Sequence, residues 1–190
     1  MTQIKITTII NASIEIVFDN CRNIDIHQFS ANNTNEKAIA GRTTGLIEIG
    51  ETVTWKGKHF GFYIQHESII SEMDFPNYFV DEQLKGHFKS FKHQHIFQQK
   101  ENQTIMTDIL EYETPYGNIG KLFDKFILKN HLSNFIICRN QVLKEVSENH
   151  QNQPPQNWNA FYPKRSIISG AIFISKINKY RNCNTNQQLK

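Results

Sequence analysis

The hydrophobic pattern of the chain changes along its length, and each change predicts a different kind of element. Residues 3–11 begin with apolar side chains at alternate positions and are rich in β-branched types, which predicts a strand. Apolar side chains spaced as on one face of a helix follow at residues 14–21, which predicts a short helix. Residues 25–29 predict a second short helix, and residues 30–45 predict a loop because Asn, Thr and Gly recur there.

In the central part of the chain, apolar and polar side chains alternate, which predicts strands with one buried face. These strands are predicted at residues 51–60, 62–74, 77–84, 88–100 and 103–113. Because the links between them are short, each strand is expected to pair with the next in an antiparallel meander.

The last strong pattern is helical and covers residues 119–147. Its stripe recurs at spacings of three and four and consists of Leu122, Phe123, Phe126, Ile127, Phe135, Ile136, Arg139, Val142, Leu143 and Val146. At about 1.5 Å per residue this helix is roughly 40 Å long, and its apolar stripe needs a large surface to cover. The predicted sheet is the surface of that size, so the sequence predicts an α+β fold.

The character of the chain changes again at about residue 148. Residues 1–148 carry the core pattern and predict one domain. Residues 149–190 open with a Gln-, Asn- and Pro-rich stretch that is typical of a linker. We interpret them as a linker and a poorly ordered tail, with a docked short helix as the alternative.

Composition and charge narrow the class of protein. A hydrophobic share of 38% and a charged share of 21% are typical of a globular domain. The net charge of +3 comes from Lys and Arg spread along the chain, which argues against a nucleic-acid partner. The three cysteines are far apart, and the sequence begins without the pattern of a signal peptide. We therefore expect a cytoplasmic protein with reduced thiols and no stable membrane insertion.

The predicted hairpin at residues 88–113 places polar chemistry on its buried face. With Glu101 and Asn102 as its turn, His95 faces Asp108 across the two strands, and His93 points to the same side. The other side chains on that face are Phe91, Phe97, Met106, Leu110 and Tyr112. Two histidines and one carboxylate are therefore expected among apolar neighbours.

This polar set has three interpretations. It is a structural imidazole–carboxylate pair, because burying either group alone costs roughly 2–7 kcal/mol. In the second interpretation, His95 either anchors a ligand or acts as a general acid or base, and Asp108 fixes its tautomer. The third interpretation is a metal site with His93, but no third ligand stands at a diagnostic spacing, so we expect no metal.

Other residues give weaker signals, and each is more often structural than functional. Trp55 and His59 share one face of their strand, whereas Tyr78 and Asp81 lie on opposite faces of theirs. The remaining candidates are Glu36 and Arg42 in the predicted loop and Arg139 on the helix stripe, where it could pair with a carboxylate. The motifs of nucleotide-binding proteins and of common hydrolases are absent from the sequence.

Several segments resemble those of a known superfamily. They are residues 36–45 (EKAIAGRTTG), 50–61 (GETVTWKGKHFG), 76–82 (PNYFVDE), 88–93 (FKSFKH), 104–108 (TIMTD) and 115–120 (PYGNIG). With the order of the predicted elements, they resemble a bacterial branch of the START-like superfamily, also called SRPBCC, over residues 3–147. That superfamily includes Bet v 1-type proteins and polyketide cyclases. The resemblance implies a helix-grip fold, in which a curved antiparallel sheet wraps around a long C-terminal helix and two short helices follow the first strand.

The resemblance also implies a cavity for a hydrophobic or amphipathic small molecule between the sheet and the long helix. The side chains expected to line it are Trp55, His59, Phe91, His93, His95, Phe97, Met106, Asp108, Leu110, Tyr112, Phe123, Phe126, Ile127 and Phe135. The first hypothesis is a binding protein that uses no cofactor. The second is a cyclase or dehydratase acting on a polyketide- or steroid-like substrate, with His95 as base and Asp108 as its orienting group. The third is a protein-interaction or chaperone-like domain with an unknown partner.

Deleting residues 151–190 is expected to leave the domain folded, because the core pattern closes at about residue 147. Thermal unfolding of the full chain and the truncated chain measures this. A fall in melting temperature of more than about 5 °C would mean that the tail packs on the domain.

Overall fold

The computed structural model describes residues 1–31 and 34–152, with side chains as far as residue 149. The first strand, β1, spans Thr2–Ile10, and the short helices α1 and α2 span Ile14–Cys21 and Ile24–Ser30. Six strands follow: β2 (Lys37–Gly41), β3 (Thr52–His59), β4 (Phe62–Asp74), β5 (Tyr78–Lys85), β6 (Ser90–Lys100) and β7 (Gln103–Glu113). The C-terminal helix consists of α3 (Gly117–Phe123), a π-helical segment (Asp124–Leu128) and α4 (Lys129–Asn152).

The seven strands form one antiparallel sheet in the order β1-β7-β6-β5-β4-β3-β2. Consecutive strands from β2 to β7 pair with their neighbours in sequence, as the short links predict, and β1 adds to β7 at the far edge. Helix α4 lies over this sheet, where it contacts β1, α1 and α2. The α+β helix-grip architecture predicted from the sequence is confirmed.

The register of the β6–β7 hairpin agrees with the sequence prediction. His95 pairs with Asp108, and Lys100 pairs with Gln103 around the two-residue turn. The first turn residue, Glu101, has a φ of 54°, the left-handed conformation that tight hairpin turns require. Because the turn fixes the register, both His95 and Asp108 are buried on the helix-covered face.

The prediction of a loop at residues 30–45 is wrong for its second half. Residues Lys37–Gly41 form the edge strand β2, which pairs with β3 and contains a bulge between Ala38 and Ala40. Gly41 has a φ of 73°, and a Cβ there would meet the Thr52 carbonyl oxygen. Gly41, one of the residues that suggested a loop, is what this close approach at the end of the edge strand requires.

The front part of the helix stripe was also predicted on the wrong face. Phe123, Phe126 and Ile127 were expected to cover the sheet, yet all three are exposed. Asp124 is buried instead, because its carboxylate accepts hydrogen bonds from Tyr112 Oη and Thr2 Oγ1. The π-helical segment also adds one residue to the turn and shifts the helix phase before α4, which the 3.6-residue pattern cannot show.

The predicted boundary near residue 148 falls inside α4, which continues to Asn152. The expectation of a poorly ordered tail concerns residues 153–190, and these lie outside the described residues. Cys21 is a buried free cysteine, and Cys183 lies in the same undescribed part. Among the described residues, no helix has the length and apolar character needed to cross a membrane.

Two apolar clusters hold the helix layer on the sheet. The larger one joins α1 and α2 to β3–β7 and includes Phe18, Trp55 and Leu143. The smaller one joins β1 and β7 to the front of the C-terminal helix and includes Leu110 and Ile136. The candidate site lies between these clusters, at the level of the middle of β6.

Replacing Leu143 with Ala is expected to lower the free energy of unfolding by about 2–5 kcal/mol, because its side chain is 2% exposed within the larger cluster. The matched control is Ile137→Ala on the same helix, where the side chain is 48% exposed and the change should stay within about 0.5 kcal/mol. Denaturant unfolding of the two variants measures both values. Equal losses would contradict the placement of α4 on the sheet.

Candidate functional site

An apolar cavity of about 170 Å³ lies between the sheet, the end of α1, the start of α2 and the C-terminal helix. Its apolar lining includes Ile24, Ile47, Val53, Ile64, Ile70, Phe79, Leu128, Leu132 and Ile136. Its polar lining falls into two groups on different parts of the wall. One group is centred on β6 and the other lies near β2, β3 and the front of α4.

Half of the residues predicted for the site line this cavity. They are Trp55, His59, Phe91, His93, His95, Leu110 and Phe135. Four others are buried outside the lining, namely Phe97, Met106, Asp108 and Tyr112. The last three, Phe123, Phe126 and Ile127, are exposed and lie outside the lining, because the front of the C-terminal helix turns them away from the sheet.

The first polar group is built around Asp108 on β7, whose side chain is 1% exposed. Its Oδ1 accepts hydrogen bonds from His93 Nε2 at 3.0 Å and His95 Nδ1 at 2.9 Å. Its Oδ2 accepts a hydrogen bond from Asn140 Nδ2 of α4 at 2.6 Å. Although burial alone would raise the pKa of Asp108, these hydrogen bonds and the charge near His95 hold it well below its usual range.

Asp81 on β5 completes the group on the cavity side. Its Oδ2 lies 3.1 Å from His95 Nε2 and 3.8 Å from His93 Nδ1. Burial alone would raise the pKa of Asp81, but the hydrogen bond from His95 and the neighbouring positive charges lower it to about 2. His95 therefore lies between two carboxylates: Asp81, which lines the cavity, and Asp108, which is buried outside the lining.

The two histidines differ in charge although they are neighbours on one strand face. Burial lowers the pKa of both imidazoles, and for His93 the nearby charge on His95 lowers it further, so His93 is neutral. For His95, interactions with Cys21, Asp108 and Asp81 outweigh burial and raise its pKa well above the usual value. His95 is therefore an imidazolium shared by two carboxylates.

Arg139 of α4 brings a buried positive charge to the same wall. Its Nη2 lies 3.1 Å from Cys21 Sγ and 3.5 Å from His95 Nδ1. Among the described residues, no carboxylate lies within ion-pair distance of Arg139, contrary to the pairing that its position suggested. Burial would lower the pKa of Arg139, but the negative charge around it raises that pKa, so the guanidinium stays charged.

The second polar group lies where β2 and β3 meet the helices. Glu36 Oε2 lies 3.2 Å from His27 Nε2, and this partner keeps the pKa of Glu36 low although burial would raise it. The His27 ring packs on the Trp55 indole with a centroid distance of 4.1 Å. Nearby, His59 Nδ1 and His131 Nε2 are 3.0 Å apart, which requires one nitrogen to donate and the other to accept.

Sequence reasoning found the core of the first group but not its cavity-facing part. His93, His95 and Asp108 were predicted from one hairpin, whose register follows from its own turn. Asp81 was only a weak candidate, because its position opposite His93 depends on how β5 pairs with β6. Cys21 reaches the group from α1, and nothing in its local sequence indicates that contact.

Chemically, the site offers an apolar space with one strongly polar wall. An apolar body fits the aliphatic and aromatic lining, and a polar group fits against Asp81, His93, His95 and Arg139. The imidazole of His95 combines access to the cavity with a carboxylate partner, Asp81, that also lines the cavity. The arrangement can therefore orient a small molecule by one polar end, and it can donate or accept a proton there.

Solved structures of other proteins share this arrangement of strands and helices. The protein TTHA0849 from Thermus thermophilus has a TM-score of 0.63 at 16% identity, covering 76% of this chain and 95% of that protein. Ginseng major latex-like protein 151 from Panax ginseng has a TM-score of 0.58 at 14% identity, covering 77% of this chain and 97% of its own. A START superfamily protein from Mycobacterium smegmatis has a TM-score of 0.59 at 12% identity, with coverage of 77% and 97%.

Identities of this size carry information about the fold alone. A scan against protein-family models and a search of curated proteins both find no match. The structural neighbours agree with the resemblance in the sequence, because a latex-like protein and a START superfamily protein are both among them. The chain therefore has the START-like helix-grip fold, with a seven-stranded antiparallel sheet and a long C-terminal helix.

Proposed function

We propose that the protein binds a small amphipathic molecule in the cavity between its sheet and its C-terminal helix. The observation that carries this proposal is an apolar cavity of about 170 Å³ with one polar wall of buried, hydrogen-bonded groups. Binding sites for small molecules have this composition, since apolar lining gives affinity and a few fixed polar groups give orientation. The START-like fold that the chain shares with its structural neighbours agrees with the proposal.

The volume of the cavity limits the size of the ligand. Pockets for drug-sized molecules measure roughly 300–1,000 Å³, whereas an apolar cavity of about 150 Å³ accommodates benzene. At about 170 Å³, the cavity accepts one or two rings or a short chain. A steroid-sized molecule would fit only if the surrounding helices moved outward.

Exposed aromatic side chains support an entrance near the β3–β4 turn. Phe60 lines the cavity and is also about half exposed, so it lies at an opening. Its ring contacts those of Phe123 and His131, with centroid distances of 5.5 and 4.5 Å. Phe62, also exposed, lies on the same face of β4 as the cavity-lining Ile64, which suits the capture of an apolar molecule from water.

Acid–base catalysis is the second candidate function, and one observation favours it. His95 and Asp81 both line the cavity, so a bound molecule can reach a titratable pair. Asp108, the partner expected from the sequence, is outside the lining and orients both imidazoles from behind. The test is to incubate a recovered natural ligand with fresh protein and follow its mass, because a dehydratase would release water from it and a binding protein would return it unchanged.

The cellular setting is part of the same proposal. An odd number of cysteines set far apart in the sequence suits a reducing compartment, so we place the protein in the cytoplasm. We assign no nucleic-acid partner, because the charge is small and spread along the chain.

Replacing Leu110 with Trp is expected to weaken binding of 2-naphthol, a fluorescent two-ring molecule with one hydroxyl group. Leu110 is 1% exposed and lines the cavity, so the larger side chain fills the space. The native protein should bind the probe at micromolar concentration, and the variant about tenfold or more weaker. Overpacking should cost roughly 1–3 kcal/mol of stability, which a parallel unfolding experiment measures.

The matched control for that experiment is Leu84→Trp, which adds the same indole at an exposed position outside the cavity lining. This variant should bind 2-naphthol as the native protein does. Absence of binding by the native protein, or equal binding by both tryptophan variants, would contradict the cavity proposal. A solid-cored interaction domain with an exposed aromatic patch would then be the better description.

Native mass spectrometry of protein purified from its own cells is expected to show a small-molecule adduct. The adduct should be absent from Leu110→Trp and present in Leu84→Trp, because only the first substitution occupies the cavity. An adduct carried equally by both variants would place the bound molecule elsewhere on the protein.

A further inference from the structure

We propose that Asp81, His93 and His95, in the wall of the cavity, form a binding site for a divalent first-row transition-metal ion such as Zn²⁺. The site is independent of the proposed ligand, since it is built from protein atoms alone. It was not expected from the sequence, because the third ligand comes from another strand of the sheet. Asp81 on β5 pairs directly with His93 on β6, and His95 follows two residues later on the same face.

The donor atoms have the separations that a shared cation needs. One ligating atom from each of the three residues lies within 4.8 Å of the others. Asp81 Oδ2 is 3.1 Å from His95 Nε2 and 3.8 Å from His93 Nδ1. With Zn–N and Zn–O bonds of about 2.0–2.2 Å, neighbouring ligand atoms in a tetrahedral site are roughly 3.3 Å apart, so small side-chain movements complete the geometry.

The hydrogen bonds behind the wall select the tautomers that metal binding needs. Asp108 Oδ1 accepts from His93 Nε2 and His95 Nδ1, so each ring directs its other nitrogen towards Asp81. Metal-bound histidines commonly donate their second ring N–H to a carboxylate in this way, which fixes the ring and strengthens it as a ligand. Asn140 donates to the other oxygen of Asp108 and holds that carboxylate in place.

His93 provides a second and independent indication. Its side chain is 7% exposed, yet Nδ1 has no hydrogen-bond partner among the described residues, and its nearest carboxylate oxygen is 3.8 Å away. Because His93 lines the cavity, this unpaired ring nitrogen is open to the gap and available to coordinate an ion. The gap lies between Asp81 and the two imidazoles, where a cation would touch all three.

The charge of the group fits a divalent ion that also binds an anionic atom. The carboxylates of Asp81 and Asp108, the guanidinium of Arg139 and the imidazolium of His95 lie together around the gap and sum to zero net charge. A divalent ion displaces the His95 Nε2 proton to solvent and leaves one net positive charge, which a bound hydroxide or a ligand carboxylate neutralises. Three protein ligands leave a coordination position open towards the cavity, as in sites where the ion also binds a ligand atom.

The test is metal binding by the chelator-treated, dialysed full-length protein. Co²⁺, which replaces Zn²⁺ and absorbs visible light, should bind with one ion per chain, and added Zn²⁺ should displace it. Asp81→Asn and His93→Gln each remove a ligand and should weaken Zn²⁺ binding, measured by calorimetry, by about 100-fold or more. Asp108→Asn removes only the supporting carboxylate and should weaken it by roughly 10–100-fold.

The matched control is His131→Gln, because His131 and His59 form a separate imidazole pair in the same cavity. This variant should bind Zn²⁺ as the native protein does. Binding that is lost in His131→Gln, or kept in both Asp81→Asn and His93→Gln, would overturn the assignment. Circular dichroism checks that each variant is folded.

A measurement on the native protein decides the matter even if the variants do not fold. Long-range ¹H–¹⁵N correlation spectra of the imidazoles should show Zn²⁺ shifting Nδ1 of His93 and Nε2 of His95. The same spectra should leave His59 and His131 unchanged. Saturating Zn²⁺ with no change at His93 and His95 would overturn the proposal, whereas 2-naphthol binding by the same sample would still support the cavity.

Discussion

The buried carboxylate of Asp108 is the interaction on which the site depends. It joins β6, β7 and α4, since it accepts hydrogen bonds from His93, His95 and Asn140. A carboxylate that is 1% exposed is stable only when it is fully hydrogen-bonded, and breaking one such buried interaction costs about 3–5 kcal/mol. The orientation of both imidazoles, and hence the chemistry of the cavity wall, follows from this one side chain.

The position of α4 turns that polar group into a wall of a cavity. The helix contributes Arg139 and Asn140 beside the group, while Phe135 and Ile136 lie one turn earlier on the apolar side. Helix and sheet touch through apolar clusters on both sides, so the space between is enclosed without being filled. Such a space has polar and apolar parts in fixed positions, which suits an amphipathic guest more than a purely apolar one.

Two occupants of the polar wall compete for the same gap. In one state, a proton on His95 Nε2 forms the hydrogen bond to Asp81 across this gap. In the other state, a divalent ion takes the position of that proton. The second polar group, with Glu36, His27 and the His59–His131 pair, lies elsewhere in the cavity and has its own hydrogen bonds. The cavity therefore has two chemically different ends, and the three-donor arrangement belongs to the end that Asp108 supports.

The sequence by itself determined the fold class, the β6–β7 register and the inward direction of His93, His95 and Asp108, because alternation and a two-residue turn are local constraints. Tertiary structure alone decided which carboxylate faces the cavity. Asp81 acquires that role from the pairing of β5 with β6, and burial of Asp124 turns the front of the helix so that Phe126 is exposed. The volume of the cavity was likewise decided in three dimensions, since it depends on the distance at which the two apolar clusters hold the helix from the sheet.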